Sequence, residues 1–118
     1  MMRDHLDMAR AWGKTVRAIQ NPPEGLDICI LHIAERCIRL RAFTTIPAGP
    51  ENALALVVLV DEFSLLRADK ITEGERRQAD HALTLSAIAL ERARGMACLL
   101  YTSPSPRDQR GSRMPSSA

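Results

Sequence analysis

Aromatic side chains are nearly absent from this chain: Trp12, Phe43, Phe63 and Tyr101 are the only four in 118 residues. Sandwiches and barrels draw on aromatic and β-branched residues for their cores, so a core made from Leu, Ile, Val, Ala and Met suits helices packed on helices. Cysteine is scarce as well, with Cys29, Cys37 and Cys98 too few for a disulfide framework. On one helix Cys29 and Cys37 stand about 12 Å apart, beyond disulfide reach, and both are expected to be reduced core thiols. Long apolar runs are missing too. The longest, Ala53 to Val60, is too short to cross a bilayer, and "MMRDHLDMARAWGK" carries no apolar segment of the signal-peptide kind. No membrane partner and a cytoplasmic location are the expectation.

What is present is helical periodicity. From Asp4, a plausible N-cap, to Gln20, the residues Leu6, Ala9, Trp12, Val16 and Ile19 recur at steps of three and four and mark one face of an amphipathic helix. "NPPEG" then offers Asn21 as N-cap, Pro22 at the first helical position and Glu24 at N3, predicting a second helix over 22–42. Its wide apolar face comprises Leu26, Ile30, Ile33, Ala34, Cys37, Ile38 and Leu40. After the Pro/Gly loop "TTIPAGPEN", Pro50 and Glu51 can open a third helix over 50–69. The run "ALALVVLV" within it, residues 53–60, also reads as a buried strand. Thr72 and Glu75 form a capping box ahead of an Ala-rich helix over 73–95. In that helix the small residues Ala79, Ala82, Ala87, Ala89 and Ala93 permit close approach, while Leu83, Leu85, Ile88 and Leu90 supply bulk. The expected fold is an all-α bundle of about four helices.

The last residues differ in kind. "CLLYTSPSPRDQRGSRMPSSA", 98–118, has three prolines and no apolar periodicity, and is expected to be a disordered tail. Its first part, "CLLYTSPSPRD" (98–108), resembles a translated transposase-type sequencing adaptor, and "SRMPSSA" (112–118) resembles the flow-cell primer sequence that follows such an adaptor. Gln109 to Gly111 fill the room a sample index takes. The resemblance implies that 98–118 is not native, that 1–97 forms the one domain, and that the natural chain continues past Ala97. The charge argument changes accordingly. The whole chain has 16 Lys+Arg against 14 Asp+Glu, but Arg107, Arg110, Arg113 and Asp108 lie in the tail, leaving 13 of each sign in 1–97. A net-neutral domain gives no electrostatic reason to expect a polyanionic partner.

Candidate chemistry is thin. Cys29, His32 and Cys37 are good zinc ligand types, but their spacing matches no closed zinc motif and they do not share one helical face, so core packing is expected. Ser64 and Ser86 lack a strand-turn context, no phosphate-binding loop occurs, and neither catalytic residues nor a cofactor are expected. Arg36, Arg39 and Arg41 could line an anion or nucleic-acid surface, though solvated helix faces explain them as well. Leu83, Ala87 and Leu90 mark a candidate helix-interaction face on the last helix.

"ALALVVLVDE" followed by "ITEGERRQADHALTLSAIALERARG" resembles the end of a GAF sensory domain, closest over "SAIALERAR", Ser86 to Arg94. The resemblance implies an α+β fragment with a strand at 53–60, a closing helix over Ile71 to Arg94, and a small-ligand sensor as the function. The residues themselves favour a non-enzymatic interaction or assembly module, self-associating through the Ala-rich helix. A helical nucleic-acid-binding module is a third and less favoured expectation.

Overall fold

The computed structural model describes the backbone of residues 4–102 and the side chains of residues 4–95. Four helices, α1 (His5–Gln20), α2 (Ile28–Thr44), α3 (Pro50–Arg67) and α4 (Glu73–Thr102), are joined by short connections, with a 3-10 turn at Ala68–Lys70. No strand occurs among the described residues. Residues 53–60 are therefore helical, and the strand that the GAF resemblance implies there is not formed. The tail expected at 98–118 begins with a last helical stretch, since α4 runs to Thr102 rather than ending near Gly95, and 103–118 lie outside the described residues.

The helix starts follow from local chemistry. The Asp4 side chain accepts from the Asp7 amide at 2.9 Å and caps α1. Thr72 and Glu75 cap α4 reciprocally: the Glu75 amide donates to Thr72 Oγ1 at 3.1 Å and the Thr72 amide donates to Glu75 Oε1 at 3.0 Å. α2 starts later than its sequence suggests, with Asp27 as its N-cap, accepting from the Cys29 amide at 3.0 Å. Two features of "NPPEG" account for the delay. Pro23 pushes Pro22 out of the helical region, and Gly25 takes a left-handed φ of 82° within a turn closed by the Leu26 amide on the Pro23 carbonyl.

α1 pairs with α2 and α3 with α4 as two helical hairpins, and the hairpins stack so that α1 lies on α3 and α2 on α4. At the shared start of α1 and α3, the Leu6 amide donates to Asn52 Oδ1, so these two neighbours run in parallel. The core between the hairpins holds Met8, Trp12, Ala42, Phe43, Leu56, Leu59, Val60, Phe63, Ala79 and Ala82. Phe43 and Phe63 meet edge to face at its centre, their rings 5.8 Å apart and inclined at 78°.

Which side of each helix faces in differs from expectation on α2 and α4. On α2 the buried residues are Leu31, Arg39, Ala42 and Phe43, while Ile30 and Ile33 are 56% and 62% exposed and Cys29 and Cys37 lie at the surface. The two thiols are thus surface groups rather than core groups. On α4 the small residues Ala79, Ala82, Ser86 and Ala89 face inward, and Leu83 and Ile88 remain substantially exposed. The physical reason differs between the two. α2 and α3 are apolar on most sides, so any outward turn exposes aliphatic side chains, and α4 uses its small stripe to let α3 approach closely.

Candidate functional site

The three arginines of α2 do not all share one surface. Arg39 points inward with its side chain 7% exposed, and its Nε–H donates to Glu35 Oε2 at 2.7 Å. Its guanidinium lies over the Phe63 ring, 4.3 Å from the centroid. Arg36 lines the cleft between α2 and α4 together with Arg39, Thr72, Glu75 and Gln78, so these two arginines share a cleft and Arg41 does not. Arg41 is exposed near the C-terminal end of α2, on a different side of the helix from Arg36.

Glu35 is the hub of a polar network that no single helix reveals. It also accepts from Trp12 Nε1 of α1 at 2.8 Å, so a carboxylate on α2 satisfies an indole on α1 and a guanidinium on its own helix. Next to it, Arg67 at the end of α3 pairs with Glu75 at the start of α4 at 3.2 Å, closing the second hairpin. Burial pushes the Glu75 carboxyl up, but the Thr72 amide, the Arg67 and Arg39 charges and the Arg67 hydrogen bond outweigh it and hold the group below its ordinary value. One further tie was not legible: buried His5 donates from Nε2 to the Ala42 carbonyl at 2.9 Å, fastening the start of α1 to the end of α2. Glu35 and His5 read in sequence as an ordinary helical polar residue and an isolated histidine, because their partners lie 23 and 37 residues away.

His32 is exposed, as are Cys29 and Cys37, so the expectation that the three pack into the core does not hold. Among the described residues no group of three His, Cys, Asp or Glu side chains is placed to hold a metal ion. Nor is any helix there long and apolar enough to cross a membrane.

Leu83 and Ala87 are exposed and Leu90 is half-buried, all on the side of α4 that turns toward the outer face of α3. α3 continues this surface with Leu54, Val58 and Leu65, which are 55%, 53% and 74% exposed. A shallow groove lined by Val57, Val58, Asp61, Ser64 and Leu83 joins the two helices. The spacing is that of a packing seam. On α3, Glu51, Leu54, Val58, Asp61 and Leu65 alternate steps of three and four, and on α4 Asp80, Leu83, Ala87, Leu90 and Arg94 do the same.

The chain matches no family model, no curated protein and no solved structure. What can be read of its function therefore comes from its own geometry.

Proposed function

We propose that this chain is a non-enzymatic assembly module that associates with a second copy of itself through the outer faces of α3 and α4. The observation that carries the reading is the pair of adjacent seams at heptad spacing, with Leu54, Val58, Leu65 and Leu83 left open to water. α3 is covered on its inner side, and its outer side leaves Leu54, Val58 and Leu65 exposed between Glu51, Asp61 and Glu62. Two copies joined here would enclose α3 and α4 of each in a further four-helix layer. The charges at the seams are of both signs, and in a two-fold arrangement residues of one copy meet different residues of the other. α3 carries Glu51 and Asp61, α4 carries the acidic Asp80 as well as Arg76 and Arg94, and of these five only Arg94 has an ion-pair partner among the described residues, Glu91.

Arg36, Arg39 and Arg41 give less support to a nucleic-acid role, since Arg39 is committed to Glu35. Sedimentation equilibrium tests the assembly reading. The wild-type chain is expected to show a concentration-dependent dimer, and Leu65→Asp is expected to be monomeric with unchanged far-UV circular dichroism. A wild-type chain that stays monomeric to several hundred micromolar excludes self-assembly through this face.

A further inference from the structure

A second feature lies at the opposite side of the core from the assembly face and is independent of it. Where α1 ends, α2 begins and α3 passes into the 3-10 turn, a cavity of about 280 Å³ opens between the helices. One part of its wall is hydrocarbon, from Val16, Ile19, Phe63 and Leu66. The other part is cationic, from Arg39, Arg67 and Lys70, with the imidazole of His32 beside them. The volume falls just under the roughly 300–1,000 Å³ of small-molecule sites, and apolar walls with a few convergent polar groups are the make-up of such sites.

The charges in the wall are unequally satisfied. Glu35 is the single anion lining the cavity, and its oxygens are already taken by Arg39 and Trp12. Arg67 is matched by Glu75. Lys70 has no ion-pair partner among the described residues, which leaves one positive charge over. Arg39 adds a second deficit. Its Nε and Nη2 donate to Glu35, while its Nη1 has no acceptor among the described residues although the side chain is 7% exposed. A buried guanidinium donor normally finds an oxygen. Arg39 also lines the cleft toward α4, where the Glu75 charge acts on it, but an anionic acceptor in the present cavity would serve the spare Arg39 donor and Lys70 together, beside hydrocarbon walls.

We infer that this cavity binds a small amphipathic monoanion, a carboxylate on a short hydrocarbon body, with the head toward Lys70 and Arg39 and the body against Val16, Ile19, Phe63 and Leu66. The hydrocarbon wall selects against a simple hydrated anion, and the surplus charge selects against a neutral ligand of the same shape. The volume limits the body to a short chain or a single ring.

Trp12 supplies a reporter, because it is the only tryptophan and its indole N–H is bonded to Glu35 at the edge of the cavity. The test follows that indole resonance by NMR during titration of the full chain with octanoate below its micellar range. Octan-1-ol and acetate serve as the tail-only and head-only comparisons. The expected result is a saturable shift with octanoate, and binding at least about tenfold weaker for either comparison, since each lacks one half of the recognition. Lys70→Ala, at an exposed site, is expected to weaken octanoate about tenfold and leave octan-1-ol unchanged. Val16→Phe, which fills the cavity, should abolish binding, and Leu65→Asp on the outer face should not affect it. Absence of a saturable shift, equal binding of octan-1-ol or acetate, or undiminished binding to a folded Val16→Phe chain would each overturn the inference.

Discussion

Replacing Glu35 by Ala removes the carboxylate that satisfies both Arg39 and Trp12 and leaves everything else in place. The pair it breaks is well inside the fold, with side chains 7% and 13% exposed, so solvent screening discounts little of its energy. Removing one partner of a buried pair costs roughly 3–5 kcal/mol, because the remaining charge stays desolvated. Here the Phe63 ring still faces the guanidinium and the Glu75 charge still acts on it, which favours the lower end, about 3 kcal/mol. For a domain of this size each 1 kcal/mol lowers the melting temperature by roughly 4–8 °C, so the expected loss is on the order of 12–24 °C. Urea unfolding followed by Trp12 fluorescence measures the free-energy loss, and thermal melting measures the temperature shift. The decisive control is Glu35→Leu with Arg39→Met. Replacing both charges by apolar groups of similar size should restore most of the loss and leave a deficit of about 1–2 kcal/mol from the unmatched indole N–H. If the double variant is as unstable as the two single losses added together, or if Glu35→Ala costs under about 1 kcal/mol, the network is not the strong buried tie described here.

Two further outcomes follow from the termini of α3 and α4. Because the Glu75 carboxyl is held below its ordinary value of 4.5 in the fold, its contribution is present above that value and is lost as pH falls through the lower folded value. Glu75→Gln should therefore lower the urea midpoint at pH 7 more than at pH 3, and equal losses at both would refute the assignment. Ala68 closes α3 with φ 50° and ψ −120°, a conformation that favours glycine. Relief of about 1–3 kcal/mol of backbone strain exceeds the roughly 0.5–1 kcal/mol that glycine's greater chain entropy costs. Ala68→Gly should accordingly raise the melting temperature by a few degrees, and a lowered one would count against strain at this residue.

Helix number and three of the four starts could be read directly from the residues. Asp4, Pro50 and the Thr72–Glu75 box act through neighbours within three residues, so their chemistry is complete within the local sequence. α2 was harder because "NPPEG" contains the parts of a cap in the right order, and only the mutual restriction of two prolines and a left-handed glycine prevents its use. Orientation could be read only in part where a helix lacks a polar side. On α3 the helical spacing of Leu56, Leu59, Val60, Phe63 and Leu66 marks an inner face, and all but Leu66 are buried, whereas the exposure of Leu54, Val58 and Leu65 on the outer face is not announced by that spacing. Ala79, Ala82 and Ser86 on α4 leave room for the inner set. The Trp12–Glu35–Arg39 network escapes for a related reason, since its members come from two helices and meet only once the first hairpin has closed. Of the candidate interaction face, Leu83, Ala87 and Leu90 were legible and the larger share on α3 was not.

The stacking of two sequence-local hairpins also bears on how quickly the chain reaches this state. Each hairpin pairs helices that follow one another along the chain through a short connection, and loop closure over such distances takes well under a microsecond. The first hairpin carries its own ties, His5 to Ala42 and Trp12 to Glu35, and the second carries Arg67 to Glu75. The later step is docking of preformed pairs, in which α1 meets α3 and α2 meets α4 and the Phe43–Phe63 contact forms. Folding dominated by near-neighbour helix pairs occupies the microsecond-to-millisecond range. Trp12 is tied within the first hairpin and buried in the core between the hairpins, so its emission would record both closure and docking, while substitutions at Phe63 would act chiefly on the docking step.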